Sequence, residues 1–229
     1  IMSKTYLANS KNGIIEVKHC QFNSKGRYFA MGGISLQSLP RKIRHTIGGE
    51  FYDDIDMENA QPVILQEICK RNGWPTPILD EYVANRDAYL KQTGFDRDQA
   101  KKLYHASTNG GNHDFNKIPN RADLTHLIKY REEMTGIRKL FAEKYPDVFI
   151  KAKEKRIKYN RDFNHEAACM NVILCYSENY ILMAMYDYFG RPKNAVLCFD
   201  GLMIPKGEHD IKGCEQYIKE KTGFNMKLK

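Results

Sequence analysis

Asp56 and Asp200 each lie in a short apolar segment, Phe51-Tyr52-Asp53-Asp54-Ile55-Asp56 and Ala195-Val196-Leu197-Cys198-Phe199-Asp200-Gly201-Leu202-Met203-Ile204. Segments of that pattern read as buried strands. A buried carboxylate is costly unless a cation or hydrogen-bond donors neutralise it. Two such aspartates far apart in one basic chain therefore point to a shared metal site, and the chemistry of such a site is phosphoryl transfer. Asp54, two residues before Asp56 on the same strand face, is the competing ligand, and Asp53 is expected to face solvent.

Between the two acidic segments, Arg97, Lys101 and His105 are spaced by four. On a helix they project from one face, drifting by only about 40° per step. Two cations and an imidazole in a row suit a triphosphate, although an exposed basic stripe is the commoner reason for such a row.

The elements that must position these groups are legible in outline. Residues 1–34 read as irregular and β-rich, with Gly26 and Gly32-Gly33 as turn signals. From Pro62 the apolar residues Val63, Ile64, Leu65, Ile68 and Cys69 recur at helical intervals up to Asn72-Gly73, so a strand runs directly into a helix just after Asp56. Residues 75–150 read as mostly helical. The run Lys151-Ala152-Lys153-Glu154-Lys155-Arg156 reads as a solvated helix face, with contact to a phosphate backbone as the alternative. A long apolar helix is expected from about His165 to Phe189, closed by Gly190-Arg191-Pro192. The second acidic strand follows, then a hairpin partner flanked by Gly201 and Pro205-Lys206-Gly207, and an amphipathic helix from about Asp210 to Lys221. The Met and Tyr run Tyr180 to Tyr186 reads as core.

The 229 residues carry a formal charge of +8 and a pI near 9.1, which favours an anionic partner, nucleic acid first. Six cysteines form no CxxC pair, so neither a zinc site nor a disulfide framework is supported. No apolar run reaches membrane-spanning length and no signal peptide opens the chain, so an intracellular protein is expected. The absence of start or stop logic at the ends suggests a piece of a longer protein.

The order of acidic strand, basic helix and second acidic strand resembles motifs A, B and C of family A DNA polymerases and the single-subunit phage RNA polymerases. Ile55 through Leu65 is similar to motif A, Arg97 through Gly110 to motif B, and Phe199-Asp200-Gly201 stands at motif C. Gly26-Arg27-Tyr28, Ser35 through Pro40 and Lys42-Ile43-Arg44 resemble the segments ahead of motif A. The text also resembles compact relatives of this polymerase from large DNA viruses and mobile elements.

The resemblance implies a mixed α/β (α+β) fold, an antiparallel palm sheet with packed helices and an inserted helical fingers subdomain. Its parts would be an N-terminal palm segment over 1–74, fingers over 75–160 and a C-terminal palm segment over 161–229. It implies a template-directed DNA polymerase, a nucleotidyltransferase acting in replication or repair. Primer-template DNA and nucleoside triphosphates would be its partners, with a helicase, primase or other replication protein beside it and no membrane. Its place would be a cytoplasmic or nuclear replication site in the host cell.

Asp56, Asp200 and the backbone carbonyl of Met57 would hold two Mg²⁺ ions, with Mn²⁺ as a substitute. Lys101 would protonate the leaving pyrophosphate. Arg97, His105, Asn109 and Gln61 would meet the nucleotide, and Arg27, Gln37, Arg44, Asn164 and His165 the nucleic acid. Gln61 and Asn109 depart from the residues that select the sugar in the family, and Phe199 and Gly201 replace the polar neighbours of the motif C aspartate. The competing readings are a primase or RNA polymerase of the same type, a catalytically weak DNA-binding replication scaffold, and a metal-dependent nuclease, for which His113 and Asp114 would be further candidates.

Overall fold

The computed structural model describes residues 2–21, 26–31, 34–111 and 123–229. His113, Asp114 and the Gly32-Gly33 turn lie outside them. The chain divides into two compact units, one made of residues 1–60 with 175–229 and the other of the continuous stretch 61–174. The fold is mixed α+β, mostly helical, with two small antiparallel sheets.

In the first unit the chain opens with helix α1 (Met2–Asn9), where strand-like text was expected. The β-rich expectation is met just beyond it, by strands β1 (Lys18–Gln21) and β2 (Tyr28–Met31), paired from Lys18 opposite Met31 to Gln21 opposite Tyr28. A 3-10 turn over Leu36–Ser38 is closed by a reciprocal capping box between Ser35 and Ser38. Helix α2 (Arg41–Gly48) then enters strand β3 (Tyr52–Asp56).

The second sheet is completed by β4 (Val196–Cys198) and β5 (Gly201–Pro205), in the order β3-β5-β4. Sequence neighbours β4 and β5 form a hairpin, whereas β3 comes from far upstream. β5 is the central strand, and Leu202, Met203 and Ile204 are buried on both of its faces. That accounts for its unbroken apolar run. Leu36, Leu39, Cys198 and Met203 make the core on one side, with Ile43, Ile47 and Tyr52 packed against them. The last residues lie along the end of β3: the N–H of Asp56 donates to the Lys229 carbonyl at 2.9 Å, and that of Glu58 to the Lys227 carbonyl at 2.7 Å.

The second unit is helical: α3 (Ala60–Arg71, its first residue in the first unit), α4 (Pro77–Ala84), α5 (Arg86–Gln92), α6 (Arg97–Thr108), α7 (Thr125–Lys144), α8 (Pro146–Lys158) and the first half of α9 (His165–Tyr188). Helix α7 buries Leu127, Tyr130, Met134, Ile137 and Phe141, alternating three and four apart, a single core-facing stripe. Its polar residues close the neighbouring helices. Glu133 accepts from the N–H groups of Ile78 and Leu79 at the start of α4, and Arg138 donates to the Ser107 and Thr108 carbonyls at the end of α6. The remaining half of α9 and helix α10 (Ile211–Thr222) belong to the first unit.

Candidate functional site: a crowded carboxylate hairpin

The β4–β5 connection is a two-residue loop, Phe199-Asp200, with Cys198 opposite Gly201. Short hairpins of this kind need positive φ at the loop, normally from Gly or Asn. Here Phe199 takes φ +62°, a strained conformation for a bulky side chain. Its ring is held edge-on to Phe29 at 5.6 Å and beneath the Arg27 guanidinium at 5.3 Å. Packing thus stabilises a turn that backbone preference opposes, and the turn carries Asp200.

Asp56 stands opposite Gly201 across the β3–β5 ladder. A Cβ on residue 201 would lie 2.3 Å from Asp56 Oδ1, so the carboxylate occupies space that any other residue would fill. The N–H of Met57 donates to the Asp200 carbonyl at 2.8 Å and ties the two acidic segments together. Burial raises the Asp56 pKa, and the charges of Asp54 and Asp200 raise it further, against the opposing pull of Arg41 and Arg44. Arg41 reaches Asp56 Oδ2 at 3.3 Å from an exposed position.

Asp54 is differently placed. Its Oδ2 accepts from Arg44 Nη2 at 3.3 Å and meets His45 Nε2 at 2.6 Å. The two motif A candidates therefore differ in environment: Asp54 meets Arg44 and His45 of helix α2, while Asp56 meets the exposed Arg41 and faces the Asp200 segment. Asp53, on the other face, is not free in solvent, because its Oδ2 accepts from the Gly207 N–H at 3.1 Å and lies 3.2 Å from His209 Nε2.

Among the described residues no group of three or more His, Cys, Asp or Glu side chains is placed to hold a metal ion. The donor set at the hairpin is two carboxylates. That set fits Mg²⁺, which keeps several waters and takes one or two carboxylates together with substrate phosphates, and it does not fit a closed zinc site.

Two other expected contact residues of this unit are engaged internally. Arg27 forms a paired bridge to Glu178, at 2.5 and 2.7 Å. Glu178 is 1% exposed. Burial works against the Arg27 charge, but the Glu178 hydrogen bond and charge outweigh it and raise its pKa. Gln37 is buried: its amide donates to the Tyr28 and Leu197 carbonyls at 2.9 and 2.5 Å, and its carbonyl accepts from the Ala30 N–H at 2.8 Å. It staples β2 to β4.

The remaining expected site residues, Gln61, Arg97, Lys101, His105, Asn109, Asn164 and His165, belong to the second unit. Arg97 and Lys101 do share α6, where Arg97 bridges Asp87 at 2.9 Å and Lys101 lies 3.6 Å from Asp98. Burial lowers the Lys101 pKa, helped by Arg97 and Arg86. Asn109 donates to the His105 carbonyl at 2.9 Å and accepts from Asn171. The Asn164 amide donates to the Gly110 carbonyl at 2.7 Å, and His165 Nε2 lies 2.8 Å from Asp162 Oδ1. Gln61 sits half-buried in the first turn of α3.

Sequence reasoning read Gly201 only as a hairpin boundary and a departure from motif C, and passed over Arg41 and Glu178. A glycine in a strand is a recognised sign of close approach. Glu178 was visible as one carboxylate in a long apolar helix.

The chain is similar to "Putative helicase V13" of Sputnik virophage. The relative carries the name of a helicase. Identity is 32% over 241 aligned residues, covering 97% of this chain and 30% of the relative, so the chain spans less than a third of the protein it matches. No family model matches the chain. No solved structure matches it.

This similarity overturns the family A polymerase assignment, because the likeness that runs through nearly the whole chain is to a protein named as a helicase. The template-directed DNA polymerase and nucleotidyltransferase activity falls with it, as do the alternatives built on the same family. The physical reason lies in the motifs. A strand ending in aspartate before a helix, and cations four apart on a helix, are arrangements that many folds produce. The 229 residues also contain no Gly-Lys pair, so they hold no P-loop of the Gly-x4-Gly-Lys type. Among the described residues no helix is long and apolar enough to cross a membrane.

Proposed function

We propose that this chain is the nucleotide- and nucleic-acid-handling part of a helicase-related viral replication protein, and that Asp56 and Asp200 bind the divalent cation of a nucleoside triphosphate. The observation that carries this reading is the convergence of Asp54, Asp56 and Asp200, where burial, and then the charges of Asp54 and Asp200, raise the Asp56 pKa despite Arg41 and Arg44 nearby. A cation would relieve that repulsion. Mg²⁺ is the cation of choice, with Mn²⁺ as a substitute, and the Met57 carbonyl is the candidate for a further ligand. When bound, the ion would neutralise phosphate charge. Arg41, exposed and on the edge of the carboxylates, is placed to exchange Asp56 for a phosphate oxygen. The net charge and the helicase name of the relative support the same class of partner.

The test is binding of a fluorescent nucleoside triphosphate with Mg²⁺, with EDTA, and with Asp56→Asn and Asp200→Asn variants. The expected result is binding that requires the cation and is lost in either variant. Binding of equal strength in EDTA would reject the reading.

A further inference from the structure

The C-terminal end of α8 and the loop after it form a second feature, which the carboxylate hairpin does not explain. Between residues 151 and 163 the chain carries six basic residues, Lys151, Lys153, Lys155, Arg156, Lys158 and Arg161, against two acidic ones, Glu154 and Asp162. Lys151, Lys155 and Lys158 lie four and then three apart on the helix, one stripe within about 60° of arc. All three are exposed.

The stripe runs into a loop that shows two aromatic rings to solvent, Tyr159 at 63% and Phe163 at 59% exposure. The loop is well ordered by hydrogen bonds. The Asn160 N–H donates to the Ile157 carbonyl and the Arg161 N–H to the Arg156 carbonyl, with Asn160 at φ +55°, which is a Schellman closure. Arg156 then holds the far end: its Nε donates to the Phe163 carbonyl at 2.7 Å, and its guanidinium lies 4.8 Å from the Phe163 ring.

A merely solvated helix face accounts for the lysines. It does not account for two exposed rings presented on a capped loop, one of them clamped by an arginine. We infer that this surface binds single-stranded nucleic acid, with Lys151, Lys155 and Lys158 following the phosphate backbone and Tyr159 and Phe163 stacking on unpaired bases. Cationic tracking beside aromatic platforms is the recognition chemistry of single strands, and duplex bases offer no free face to such rings. The inference does not depend on the carboxylate pair.

The experiment is fluorescence anisotropy in EDTA, which keeps it separate from the cation site, using labelled oligothymidylate, oligouridylate and a duplex of equal length over a range of salt. The single strands should bind more tightly than the duplex. Tyr159→Ala and Phe163→Ala should each weaken single-strand binding about tenfold, the size of one lost stacking contact. Converting Lys151, Lys155 and Lys158 to Gln should flatten the salt dependence by about two log units per log unit, given about 0.7 per neutralised phosphate. This second set reads a property that loop damage alone would leave in place. The better of the two single strands identifies DNA or RNA as the ligand. Equal binding of duplex and single strand, or full affinity in both ring variants, would overturn the inference.

Discussion

The acidic hairpin of the first unit, with Asp200 exposed and Asp54 and Asp56 half-buried, and the buried tyrosine cluster of the second both gather polar groups, and they settle them in opposite ways. Around Tyr104 the hydroxyls find neutral partners, while His126 Nε2 is buried without a hydrogen bond. The Tyr104 hydroxyl meets His126 Nδ1 at 2.8 Å, the Tyr130 hydroxyl meets Thr108 Oγ1 at 2.9 Å, and Tyr82 stacks on Tyr104 at 4.3 Å. Burial raises the pKa of Tyr104 and Tyr130, so both stay uncharged phenols. At the hairpin, by contrast, three carboxylates crowd, a phenylalanine holds positive φ, and a glycine gives way to a carboxylate oxygen. Paired hydroxyls stabilise a core, whereas mutually repelling carboxylates and a strained turn mark a place where a ligand would complete the structure.

That contrast is open to attack at several strengths. Tyr130→Ala should have the largest effect, a loss of about 3–5 kcal/mol in urea unfolding from the cavity left in α7, with cation affinity unchanged in whatever remains folded. Asp200→Asn should abolish stabilisation by Mg²⁺. In the unaltered chain that stabilisation is about 2.7 kcal/mol when the ion is at a hundred times its dissociation constant, measured as a shift in thermal unfolding.

A smaller effect concerns pH. Because the Asp56 pKa is raised on folding, its protonation favours the folded chain. That contribution is complete below the unfolded value of about 3.9 and is lost as pH rises through the higher folded value. Urea melts in EDTA should therefore show Asp56→Asn gaining on the unaltered chain as pH rises, with the two converging in acid. The smallest effect is Tyr130→Phe, about 1 kcal/mol for the hydrogen bond to Thr108. If Gly201→Ala cost stability on the scale of Tyr130→Ala, the contrast would fail, since only the mobile Asp56 carboxylate and one backbone oxygen crowd that position.

Much of the first unit was legible in the sequence, because both signals involved are local. The apolar runs around Asp56 and Asp200 become β3 and the β4–β5 hairpin, and the change of period after Asp56 becomes α3; Asp200 itself, expected in a buried strand, lies exposed in the turn, because the run holds two short strands and not one. The long apolar helix ends at Tyr188, with Gly190 at φ +73° as its stop. Helix α1 was missed because its short sequence carries no helical periodicity.

What the sequence could not carry was three-dimensional saturation. Arg27 and Gln37 look like ligand contacts in one dimension, but a buried Glu178 and three backbone groups occupy them. Nor could the choice between Asp54 and Asp56 be made from spacing, since both share a strand face. Helix α2 gives the two different partners, Arg44 and His45 to Asp54 and the exposed Arg41 to Asp56. The polymerase resemblance failed for a related reason: short motifs report local geometry, and local geometry is shared among unrelated activities.

The measurement that tests the central claim most directly is Mn²⁺ titration by calorimetry of the unaltered chain, Asp56→Asn and Asp54→Asn. The account predicts cation binding that disappears in Asp56→Asn and survives in Asp54→Asn, whose carboxylate is already engaged. Binding that survives in Asp56→Asn, or that is lost only in Asp54→Asn, would contradict it.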